Sequence, residues 1–170
     1  MEQSAQVRTV VAESASGSGV TLGPLEAGGV VRGVAMAPFP ARLRFDDEAQ
    51  LLWHDVVAAE VVPPVAVEAI VEDIVLPRPE VRLMVGEARW MVALSYPLPF
   101  GRVTPTEVGG LLSAGALYAA ALCVALGGHL AKQWRATLLD HGFATGTGFA
   151  HDPRDLLRTG SIVAWPSIGQ

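Results

Sequence analysis

The sequence reads as an α+β protein: a mainly antiparallel sheet over the N-terminal two thirds, one long apolar helix packed on it, and a C-terminal loop and strand. Three observations carry that reading. Short alternating runs such as Ala41-Arg42-Leu43-Arg44-Phe45 are bounded by proline or glycine, as half-buried strands are. Val81 to Val85 and Arg89 to Ser95 flank Gly86-Glu87, and glycine in the first central position suits the type II′ turn of a hairpin. From Val108 to Gly128, 21 residues pass without a charge, which marks a helix buried on most of its sides.

From the N-terminus, residues 1–20 read as flexible, with Val7 to Ala12 a short strand and Ser14 to Gly19 a loop of small residues. Asp46-Asp47-Glu48 makes a polar turn or a helix start after the 41–45 strand. Val61-Val62 ends at Pro63-Pro64, because proline cannot continue a central strand. The β-branched stretch from Val65 to Leu76 reads as another strand, with Val67, Ala69 and Val71 on one face and Glu68, Ile70 and Glu72 on the other. Tyr96 to Gly101, with Pro97 and Pro99, reads as a loop leaving the sheet. Thr104-Pro105-Thr106-Glu107 then starts the long helix: a threonine cap, proline in the first turn, and an acid at the positive end. The helix extends toward Leu139 with a break at Gly127-Gly128, and Asp140-His141-Gly142 stops it. Ile162 to Trp165 closes the chain as a strand.

Length and composition bound the function. A chain of 170 residues fits one domain over 1–170, long enough to bury a core without metal or disulfide. Cys123 is the single cysteine, which excludes a disulfide framework and a cysteine-based zinc site. With 12 Lys and Arg against 17 Asp and Glu, the net charge of −5 argues against nucleic acid as a partner. The polar start, Met1 to Gln6, has neither the basic nor the apolar region of a signal peptide, so the expected location is cytoplasmic.

No motif specifies a chemistry. The histidines, His54, His129, His141 and His151, include no pair at helical metal spacing, and neither a metal site nor a cofactor is assigned. His54-Asp55 sets an imidazole beside a carboxylate, but adjacent residues on one element point apart. The segment from Asp140 to Asp155 is the best candidate for a small-molecule site. There His141, His151 and Asp152 would move a proton, beside a glycine-rich loop whose Thr145, Gly146, Thr147 and Gly148 would approach a ligand closely.

The leading expectation is an accessory or oligomer-forming subunit that acts through protein contact, as a homo-oligomer or with a partner protein. Its interface would be the long helix, with Leu117, Leu122, Leu126 and Trp134 as contacts. One alternative is an enzyme of lyase or hydratase type using the 140–155 loop. Another is membrane association through residues 108–130, whose length matches the roughly 20 residues of a bilayer span.

Overall fold

The computed structural model describes residues 2–18, 20–35, 39–62, 66–74, 79–85, 89–127 and 135–144. The strands are β1 (Thr21–Glu26), β2 (Val31–Ala35), β3 (Pro40–Asp46), β4 (Leu51–Val61), β5 (Pro79–Val85) and β6 (Arg89–Pro99). They form one antiparallel sheet in the order β1-β2-β3-β4-β6-β5. The helices are α1 (Glu2–Gly17), α2 (Val67–Ile74), α3 (Pro105–Ala125) and α4 (Arg135–Asp140). This is the α+β class expected, with α3 on the sheet.

Strand alternation divides the side chains between two faces. Ala41, Leu43 and Phe45 of β3, Leu52 and Val56 of β4, and Val92, Leu94, Tyr96 and Leu98 of β6 lie on one face. Val7 and Val11 of α1, Val67 and Val71 of α2, and Val108, Leu111, Leu112 and Leu122 of α3 close over that face into the main core. The opposite face carries Arg42, Arg44, Asp55 and Ser95, with a smaller apolar cluster of Val57, Met91 and Ala93 under Leu138 and Phe143.

Several expectations hold. Ala41–Phe45 lies within β3, and the acidic run after it turns, Asp46 Oδ1 accepting the Ala49 N–H at 2.9 Å. β5 and β6 form the hairpin with Val85 opposite Arg89, while its turn lies outside the described residues. Thr104 caps α3 by accepting the Glu107 N–H, and Pro105 opens the helix. Gly142, at φ 81, follows α4 in the left-handed conformation its stop signal requires.

Three expectations are corrected. Residues 2–17 are neither loop nor strand but α1, whose Val7, Val11, Ser14 and Ala15 form a buried stripe at helical spacing. The Ser14 hydroxyl donates to the Val10 carbonyl inside the helix, so the serine-rich run needs no loop to satisfy it. Val67–Ile74 is helix α2: Val67 and Val71 are buried four residues apart, and Ile70 joins them rather than the glutamates. Tyr96 to Pro99 remains in β6. Its prolines are accommodated because, among the described residues, β5 pairs no further along β6 than Leu94, which leaves that side of the strand without a ladder partner there. The helical stretch from Pro105 toward Leu139 divides where a break was expected: α3 ends at Ala125, Gly127 lies at φ 58, and α4 follows from Arg135. The expected strand at 162–165 lies outside the described residues.

Candidate functional site

Adjacent positions on β4 send His54 and Asp55 to opposite faces, as the strand period dictates. His54 is fully buried beneath α3, with Nδ1 3.2 Å from the Leu111 carbonyl oxygen. Since a carbonyl only accepts, Nδ1 carries the proton, and Nε2 is buried without a partner among the described residues. Burial lowers the imidazole pKa to about 4, against the smaller opposing effects of Asp55 and the Leu111 carbonyl. The approach depends on Gly115 of α3, where a Cβ would lie 2.5 Å from His54 Cε1. Tyr96 lies opposite His54 across the strands, and its hydroxyl is likewise buried with no partner among the described residues. Burial pushes that phenol's ionisation above its ordinary value.

Asp55 is fully buried on the other face and well satisfied. Its carboxylate accepts Arg42 Nε at 2.8 Å, Ser95 Oγ at 2.7 Å, and both Nε and Nη2 of Arg44. Burial alone would raise the Asp55 pKa, but donation from Arg44, Ser95 and Arg42 outweighs it and holds the carboxyl below its usual value. An encased, ionised carboxylate of this kind orients its neighbours and takes up no proton near neutrality.

What it orients is the segment after α4. Arg42 also donates to the His141 carbonyl and lies over the Phe143 ring at 4.5 Å. Ala41 and Ala144 exchange backbone hydrogen bonds at 3.0 and 2.9 Å. At Gly33 on β2, a Cβ would come within 2.8 Å of the Ala144 Cβ, so glycine lets the segment lie flat on the sheet. This polar cluster was not anticipated from the sequence. Half of its signal was present, since arginines two apart on β3 share a face, but the placing of Asp55 opposite Arg42 is a matter of strand register.

Of the residues expected to form a small-molecule site, the structure places His141, exposed in the turn after α4 and attached to the sheet through its carbonyl rather than its ring. His151, Asp152, Thr145, Gly146, Thr147 and Gly148 lie outside the described residues, so no convergence with His141 is on view. Among the described residues, no three His, Cys, Asp or Glu side chains gather to hold a metal.

The expected interface residues divide. Leu122 is fully buried in the protein's own core, a correction that removes it as an outward contact, because its position on α3 faces the sheet. Leu117 and Leu126 are half-buried, and Trp134 lies outside the described residues. Outward on α3 runs a stripe of Gly109, Ser113, Leu117, Ala121 and Val124, uncharged throughout and 36% exposed at Val124. By length and composition α3 meets the requirement for a bilayer span, yet 61% of its most apolar stretch is buried within this fold. Comparison with family models, curated proteins and solved structures finds no match for this chain.

Proposed function

We propose that the chain is a protein-contact subunit of the cytoplasm that assembles through the outward stripe of α3, with a second copy of itself as the partner. The observation that carries this reading is the division of α3. Its inner residues are spent on the sheet, while its outer stripe from Gly109 to Val124 meets the surface without a charge. A solvated helix face normally carries polar or charged residues, so this one is built for contact. Small side chains at Gly109, Ser113 and Ala121 let a second backbone approach closely, and Leu117 lies at the centre of the stripe. Two such stripes are self-complementary about a two-fold axis, the commonest arrangement of homo-oligomers. The burial of α3 on its own sheet supports this over insertion in a bilayer.

Sedimentation equilibrium of the wild type and of Leu117→Asp across the micromolar range tests it. The expected result is a wild-type dimer and a monomeric variant with an unchanged circular dichroism spectrum. A monomeric wild type, or a variant that remains dimeric, would refute the proposal.

A further inference from the structure

Arg32 of β2 lies opposite Leu43 on the helix-covered face of the sheet. Its Nε is buried, and among the described residues it has no hydrogen-bond partner and no carboxylate reaches its guanidinium. An unsatisfied cationic donor in such a place is costly, and native structures rarely leave one without reason. Arg8 of α1, nearby, is by contrast fully engaged: it pairs with Asp47 at 3.1 Å, donates to the Gly29 carbonyl, and stacks over Phe45 at 4.6 Å.

Between α1 and strands β1 to β3, both arginines border a cleft of about 290 Å³. Its remaining wall is largely apolar, formed by Ala12, Phe45 and Leu25, with Leu25 38% exposed. Glu13, on the exposed side of α1, is the carboxylate at its border. Thus an arginine lacking an anion and a leucine lacking cover meet in one cleft. We propose that this cleft binds a small amphipathic anion, with its carboxylate on Arg32 and its apolar body against Leu25 and Phe45. The site is separate from the α3 stripe, and the inference stands or falls independently of assembly.

Titration of the ¹⁵N-labelled full chain with sodium octanoate tests it, using octanol and inorganic phosphate as comparison probes. Octanoate is expected to shift the amides of Thr9, Ala12, Leu25 and Arg32 saturably. Arg32→Gln should weaken it about tenfold, the loss expected for one charge-assisted contact. Glu13→Gln should tighten it by removing a repelling charge, and that exposed substitution keeps the test valid should Arg32→Gln fold poorly. Equal affinity for octanol overturns the anionic requirement, and a response to phosphate alone overturns the apolar one. No saturable shift, or shifts unaffected by either substitution, overturns the site itself.

Discussion

Lowering the pH should weaken this fold through one residue, His54, before it does so through Asp55. Buried beneath α3, His54 has its pKa lowered from 6.5 to about 4. The unfolded chain therefore takes up the proton first. The stabilisation from keeping this imidazole neutral is fully present above pH 6.5 and is lost as the pH falls from 6.5 toward 4. A difference of that size corresponds to about 3 kcal/mol, a large fraction of the stability of an ordinary domain. Asp55 acts in the same direction but lower on the scale, since its carboxyl is held below 3.8. Its contribution is present above that value and is lost further down, so the window between 6.5 and 4 belongs mainly to His54. Among the described residues, the imidazole meets the Leu111 carbonyl and Gly115 and lies across the strands from Tyr96, none of which carries a negative charge in this range to stabilise an imidazolium. Urea unfolding of the wild type and of His54→Leu, at steps through this window, is the assay. The wild type should lose about 3 kcal/mol, whereas the volume-conserving variant should lose little. Equal slopes in the two proteins would refute the reasoning.

Two further substitutions probe the faces separately. Gly115→Ala would gain about 1 kcal/mol of helix propensity. Its methyl, however, would lie 2.5 and 2.8 Å from His54 and Val56 atoms. Overpacking typically costs roughly 1–3 kcal/mol, so the net effect should be a loss of up to about 2 kcal/mol and a lower melting temperature, and a rise would show that α3 moves freely. Asp55→Ala should cost about 3–5 kcal/mol, because it strips the buried counter-charge from Arg42 and Arg44. Hydrogen exchange should at the same time quicken at the Ala144 amide, and unchanged protection there would mean that the cluster does not hold the segment.

The parts of this fold legible in the sequence were those where one signal dominated. Alternation along 41–45, the glycine between two apolar runs at 86, and Thr104-Pro105 before an uncharged stretch each had one physical solution. The misread parts carried competing signals. In α1 the serines and glycines of 14–19 masked the spacing of Val7, Val11 and Ala15, yet the burial of that stripe in the main core, chiefly beside α3, overrides weak propensity. In α2 the β-branched residues favoured a strand locally, while Val67, Ile70 and Val71 already stood at helical spacing. Pro97 and Pro99 argued for a loop because no sequence reveals that β5 stops pairing at Leu94. The Asp55 cluster depended on strand register, a long-range fact that neither β3 nor β4 contains alone.

The adjacency of His54 and Asp55 on β4 shows how the two faces acquired different tasks. On one side the polar group is neutral and given a backbone carbonyl, and α3 comes close because Gly115 yields the space. That closeness requires an inner helix face of small and aliphatic residues, and in α3 the outer face has the same character. On the other side the polar group remains charged and is met by two arginines, one of which reaches on to His141. Ion-pair geometry is directional where apolar packing is not, so this face fixes the position of a segment rather than filling a volume. The chain that continues from Ala144 into Thr145-Gly146-Thr147-Gly148 therefore departs from an anchored point on the sheet. Loss of Asp55 should free that point without disturbing α3, whereas a charge at Leu117 should abolish assembly and leave Ala144 protected. If either substitution produced both effects, the two faces would be a single cooperative unit and the division of labour drawn from β4 would be wrong.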